Sequence, residues 1–231
     1  CFDLENESFS AIVPDPRDEY SLSNGDVFSL FYDRRDQILW VGTLSGGVNI
    51  YDPGRKKFKL IQNNPYDPSS LSPNPVKAIF KDSKNRLWVG TDQGGLCHYQ
   101  GPGRGFRHYT TDNSNLSSDA VMDIEAAPDG RIMISTWGGG INVLNPENNH
   151  IKQFMTNPAF DNSILSNNVS DIFVDQRDRV WVTVSKHGAA RFDYENGTFE
   201  PVPGYTKLPD YLHAIGADDA GDIGMTGQRQ V

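Results

Sequence analysis

The sequence has no long apolar run, only two cysteines and no surplus of positive charge. No stretch approaches the roughly 20 consecutive apolar residues that a membrane-spanning helix needs. The first residues carry no initiator Met and no signal-peptide pattern. They open inside a repeat, so the chain reads as a piece of something longer. Cys1 and Cys97 are too few for a disulfide framework or a four-ligand zinc site, and they leave the redox compartment undecided. The formal net charge is −9, and no Lys/Arg stripe offsets it, which argues against a nucleic-acid partner. A 3.6-residue apolar periodicity is absent throughout, which excludes an array of amphipathic helices.

What is present is a repeat. Leu39-Trp40-Val41-Gly42-Thr43 recurs as Leu87-Trp88-Val89-Gly90-Thr91. It returns altered as Ile132-Met133-Ile134-Ser135-Thr136, as Val180-Trp181-Val182-Thr183 and faintly as Ile223-Gly224-Met225-Thr226. Trp40, Trp88, Met133, Trp181 and Gly224 lie 48, 45, 48 and 43 residues apart. A period in this range marks an array of structural units.

The second copy shows the unit. Val76 to Asp82, Leu87 to Thr91, Leu96 to Tyr99 and Phe106 to Tyr109 are four short β-type runs, each bounded by turn residues. Four antiparallel strands every 40–50 residues describe a β-propeller blade. The fold class is therefore all-β, a propeller of about five four-stranded blades, with 22 Gly and 14 Pro supplying the turns. The boundaries are a half-blade 1–20, blades 21–67, 68–114, 115–163 and 164–205, and a half-blade 206–231. Residues 1–9 align with 191–199, so the chain starts on third and fourth strands and ends after first and second. The halves either close a five-blade ring or belong to a larger one.

Most conspicuous residues belong to this architecture. Trp40, Trp88 and Trp181 are expected to wedge between adjacent sheets, where a large apolar side chain buries most area. The pairs Gly46-Gly47, Gly94-Gly95 and Gly139-Gly140 are expected where neighbouring blades approach closely, because a Gly without Cβ permits both φ > 0 and close backbone contact. Asp33, Asp82 and Asp175 recur at first-strand ends and read as turn formers. Cys97 and Cys1 fall in equivalent strands two blades apart, too far for a mutual disulfide, and read as half-buried thiols.

The pattern Ser-Leu-Ser, Val-x-x-Ile-x-x-Asp, Leu-Trp-Val-Gly-Thr, Gly-Gly-Leu and a closing Phe resembles the two-component regulator propeller repeat. Val27 to Asp52 and Val76 to Tyr99 match it well; the later copies lose Trp or the Gly-Thr pair. The resemblance implies the extracytoplasmic, periplasmic sensor region of a bacterial hybrid two-component histidine kinase. It implies an oligosaccharide ligand derived from a glycan and usual rings of seven blades. It also implies partners in the rest of the sensor kinase: further blades, a membrane-proximal domain and a second copy in a homodimer. No cofactor, metal or catalytic group is implied for this segment.

Ligand candidates are residues that the repeat does not require. Trp137 stands in a second-to-third-strand turn where other copies have Leu44, Asp92 and Ser185. A Trp beside glycines can serve as a sugar-stacking platform. Asp92 and Gln93, and Lys186 and His187, occupy corresponding turns, and the latter two could grip a carboxylate or sulfate. Asn168 and Tyr211 precede or open first strands and could bond hydroxyls. A propeller hydrolase or lyase using Asp26, Asp119, Asp123 or Glu125 is one alternative. A bare protein-interaction scaffold is the other.

Overall fold

The computed structural model of the protein describes residues 2–3, 8–9, 13–15, 21–52, 57–73, 75–204, 211–217 and 223–228. The regular elements among them are all strands. β1 (Phe2–Asp3) and β2 (Ser8–Phe9) make a two-stranded sheet. β3 (Val27–Asp33), β4 (Ile38–Thr43), β5 (Gly47–Asp52) and β6 (Lys57–Ile61) make blade 1. Blade 2 is β7 (Val76–Lys81), β8 (Leu87–Thr91), β9 (Gly95–Tyr99) and β10 (Phe106–Tyr109). Blade 3 is β11 (Val121–Ala126), β12 (Ile132–Thr136), β13 (Gly140–Asn145) and β14 (His150–Phe154). Blade 4 is β15 (Val169–Val174), β16 (Val180–Val184), β17 (Gly188–Asp193) and β18 (Thr198–Pro201). β19 (Tyr211–Ala217) and β20 (Ile223–Gln228) form a second two-stranded sheet, and the two small sheets do not pair with each other.

Each sheet is an antiparallel meander, so first strands meet first strands around the axis: β3 with β7, β7 with β11, β11 with β15 and β15 with β19. All five first strands carry a register shift at the same place, between Val27 and Ser29, Val76 and Ala78, Val121 and Asp123, Val169 and Asp171, and Leu212 and Ala214. The extra residue bends the strand and re-aims the side chain after it.

The core lies between sheets. Trp88 is fully buried and packs with Leu96 and Tyr109 of its own blade against Leu116, Val121, Ile132 and Leu144 of the next. Met133 performs the same task between blades 3 and 4, and Trp181 packs on Ile215 of β19. The expected wedges are therefore seen. Truncating such a side chain to Ala costs about 3–5 kcal/mol.

The glycine pairs show the positive φ expected of them, but the close contact made there lies within one blade. The second glycine turns at positive φ, +76° at Gly47, +74° at Gly95 and +69° at Gly140. A Cβ on Gly47 would stand 2.5 Å from the carbonyl oxygen of Ile61 in its own blade. The close approach of neighbouring blades occurs instead at the glycine of Leu-Trp-Val-Gly-Thr. A Cβ on Gly90 would stand 2.5 Å from Val121 Cγ1, and one on Gly42 2.9 Å from Val76 Cγ1.

The recurring aspartates also do more than turn the chain. Asp82 Oδ1 accepts from the backbone of Lys84 and Arg86, while Oδ2 accepts from Arg86 Nε at 2.6 Å and Trp88 Nε1 at 3.1 Å. Asp175 repeats the set with Arg177, Arg179 and Trp181. Burial pushes the Asp175 carboxyl up, but the indole, the backbone amides and the Arg179 guanidinium together hold it at about 2. Blade 3 loses both ends of this pin at once, with Ala127 and Met133 in place of Asp and Trp.

Cys97 is wholly buried, not half-buried, and its Sγ bonds Ser72 Oγ at 3.1 Å. Cys1 lies outside the described residues.

Candidate functional site

Two sets of turns emerge on opposite faces of the ring. The Asp-centred turns between first and second strands make one face. The other carries the turns between second and third strands together with the loops that lead into each blade. On that second face each turn is tied back to the residue preceding its first strand. Leu44 N donates to Asp26 O, Asp92 N to Pro75 O, Trp137 N to Ala120 O and Ser185 N to Asn168 O, each at 2.9 Å. The next turn residue sits at positive φ: Ser45, Gln93, Gly138 and Lys186.

Only Gly138 of these four lacks a side chain, and nothing lies within 4 Å of where its Cβ would be. Beside it Trp137 remains 37% exposed, unlike the buried Trp88 and Trp181. The Trp137 turn is held firmly. Ser118 Oγ donates to Trp137 O at 2.7 Å, and Gly138 N donates to Asn168 Oδ1 at 2.9 Å. Asn168 therefore spans two turns, its side chain bonding the Trp137 turn and its carbonyl bonding the Lys186 turn.

Of the residues singled out from the sequence, Trp137, Asn168, Lys186 and His187 come together on adjoining turns of blades 3 and 4. Lys186 and His187 are both exposed there. Asn168 already commits its oxygen to Gly138, so its first role is to position the Trp137 turn. Asp92 and Gln93 belong to the blade 2 turn and do not join that set. Gln93 opens instead on a separate groove of about 410 Å³ that also reaches Ser72, His108, Asp112 and Asp119. Tyr211 opens β19, but its side chain lies outside the described residues.

Ser72, Cys97 and His108 were not anticipated as a group. In blades 1 and 3 the serine of the lead-in loop is clasped by an asparagine. Ser23 N donates to Asn49 Oδ1 at 2.9 Å, Asn49 Nδ2 returns to Ser23 Oγ at 2.8 Å, and Asn142 treats Ser117 alike. In blade 2 Cys97 takes the asparagine's place, and His108 Nδ1 bonds Ser72 Oγ at 2.7 Å. Burial pushes the Cys97 thiol up and the His108 imidazole down, so both favour their neutral forms. The loss of asparagine at this one repeat position was the signal available in the sequence.

Residues 70–93 match the family model described as two component regulator propeller. A stretch of 59 residues is 37% identical to Histidine kinase P4 of Formosa agariphila, and covers 26% of this chain and 4% of that kinase. Among solved structures, the extracellular domain ascribed to the hybrid two component system BT3049 of B. thetaiotaomicron superposes with a TM-score of 0.77 at 24% identity, over 92% of this chain and 27% of that one. Virginiamycin B lyase from Staphylococcus aureus superposes with a TM-score of 0.64 at 13% identity, over 87% of this chain and 62% of the lyase. These likenesses are of fold, and the fold is a β-propeller. The chain spans less than a third of the two-component chain it matches.

Proposed function

We propose that the chain is a ligand-sensing segment of an extracytoplasmic propeller in a bacterial two-component sensor. It recognises a glycan-derived oligosaccharide on the turn face of blades 3 and 4. It passes the occupied state to a histidine kinase elsewhere in the parent protein. The observation that carries this reading is Trp137, an aromatic residue 37% exposed on a braced turn where the repeat calls for no aromatic. A ring on a turn whose backbone is already held can stack on a sugar face without the cost of ordering the loop. Lys186 and His187, on the adjoining turn, suit an acidic substituent of the same ligand. The match of residues 70–93 to the regulator propeller model supports the two-component setting and a periplasmic location.

The face of β3 supports further blades as partners. Val27 is 42% and Leu30 65% exposed, whereas Val121 and Ile124, their counterparts under the blade 2 wedge, are 0% and 3% exposed. A preceding blade with its own wedge residue would cover them. A homodimer through other surfaces belongs to the same reading.

Calorimetric titration against a panel of neutral and acidic oligosaccharides tests the proposal. The expected result is saturable binding without turnover that Trp137→Ala weakens at least tenfold. Unchanged affinity in that variant would remove the stacking role. Release of a shortened product would replace the sensor reading with a polysaccharide lyase or hydrolase.

A further inference from the structure

The first strand of every blade is an edge strand, and alternate amides along it have no partner in their own sheet. Two seams deal with this through a carboxylate. Asp123 follows the bulge of β11, and its Oδ2 accepts from the amide of Ile172, in the first strand of the next blade, at 3.0 Å. Asp171 follows the bulge of β15, and its Oδ2 accepts from the amide of Ile215, in β19, at 2.6 Å. The equivalent positions in the other first strands are Ser29, Ala78 and Ala214, which cannot reach across in this way.

Asp171 directly precedes Ile172, the residue whose amide Asp123 accepts, so the two carboxyl groups are brought side by side in the seam. Two buried carboxyl groups placed so closely disfavour ionising together, and a single proton can serve both as donor and acceptor. Glu125, two residues beyond Asp123, stands where the repeat has Phe31, Phe80 and Phe173, and faces the same seam as its cross-strand partner Met133. Burial, with the charge of Asp123 added, pushes its carboxyl up to about 7. Burial also raises both aspartates, and the Asp123 charge raises Asp171 further.

Cations do not offset this acidity among the described residues. Lys77, on the neighbouring β7, lies over the Phe28 ring, 4.1 Å from its centroid. β12 and β16 bring Met133, Ser135, Trp181 and Thr183 to this region, none of them charged. β19 adds His213, whose side chain lies outside the described residues. No three His, Cys, Asp or Glu side chains converge as metal ligands among the described residues.

We propose that Asp123 and Asp171 hold one proton between them at neutral pH, and that this proton latches blades 3 and 4 and the β19–β20 sheet together. The sign follows from linkage. A carboxyl raised on folding contributes its stability in full below the ordinary carboxylate range, about pH 4, and that contribution is lost as pH climbs through the raised value. Alkaline solution strips the shared proton and leaves two adjacent buried charges, each still tied to the next strand's amide. The latch then becomes a point of repulsion on the ring axis.

The test is the pH dependence of thermal unfolding on the full chain, wild type against Asp171→Asn, with Glu125→Gln as a control. Asparagine at 171 can still accept from Ile215 and can donate to Asp123, but it cannot ionise. The wild-type midpoint is expected to fall by about 5 °C between pH 6 and pH 9, a small fraction of the folding free energy. Asp171→Asn is expected to flatten most of that slope and to be the more stable protein at pH 9, while Glu125→Gln removes only part of it. An unchanged slope in Asp171→Asn would overturn the proposal. Carboxyl carbon NMR titration of the wild type decides the matter even if a variant fails to fold. A step above neutral pH seen by the carboxyl carbons of both Asp123 and Asp171 supports the latch; loss of both protons in the ordinary carboxylate range, near pH 4, refutes it.

Discussion

Blades 1 and 2 share Leu-Trp-Val-Gly-Thr letter for letter, yet their tryptophans live differently. Trp88 is fully buried, bonds Asp82 through its indole N–H and stacks on His98 with ring centroids 4.2 Å apart. Trp40 is half-buried, and its Nε1 is buried with no partner among the described residues. The cause lies outside the shared motif. From Asp82 to Trp88 is six residues, and from Asp33 to Trp40 it is seven. The extra residue also removes the arginine that would complete the pin, because Gln37 and Ile38 stand where blade 2 has Arg86. Asp33 turns instead to Lys81 of the next blade. An identical strand is therefore not an equivalent one; the length of the turn feeding it decides whether its polar atoms are satisfied.

Four tests probe this difference, from the largest effect to the smallest. Trp88→Ala is expected to cost about 4 kcal/mol in denaturant unfolding, and Trp40→Ala about half of that. Equal losses would mean that both wedges are packed alike. Asp82→Ala leaves an indole and a guanidinium without their acceptor and is expected to cost about 3 kcal/mol, whereas Asp33→Ala, which strips no indole, costs about 1 kcal/mol. Deleting Asp36 and replacing Ile38 with Arg gives blade 1 the turn length and arginine of blade 2. That double change is expected to stabilise the protein by about 1 kcal/mol and to slow exchange of the Trp40 indole proton. The smallest effect is in acid. Asp175, held at about 2, contributes stability that is present above the ordinary aspartate range and lost as pH falls through its folded value. Asp175→Asn should therefore shrink the loss of midpoint between pH 4 and pH 2, which a thermal melt series measures.

Much of the fold was legible because a strand's alternation and its bounding turns are local. The repeat placed the strands of all four full blades and identified Trp88 and Trp181 as wedges. The positive φ of the glycine pair was legible, but the contact that excludes a Cβ was not, because the carbonyl facing Gly47 belongs to Ile61, at the far end of the adjacent strand. The pin was hidden for a related reason. Aspartate at a turn has a sufficient local explanation, and nothing local says that Trp88 lies behind it. The axial carboxylates were half visible. Asp123 stood out as acidic, but its partner Asp171 was not singled out, although the two occupy one repeat position in successive blades. For the candidate ligand site, Trp137 was found as an exception to the repeat. Asn168 was expected to meet a ligand, and the structure shows it bracing the Trp137 turn.

The turn face is stitched from blade to blade. Gly95 N donates to Asp119 O at 2.9 Å and Gly140 N to Asn167 O at 2.8 Å, each bond running from one blade's third strand to the loop feeding the next. With Gly138 N on Asn168, the Trp137 turn has two such stitches into blade 4. Mechanically this is a hoop as well as a set of spokes. The Trp137 turn is thus joined along the circumference, through Asn167 and Asn168, as well as to its own sheet through Ala120 and Ser118. One connection from that turn therefore leads sideways, to the loop that feeds the first strand of the following blade.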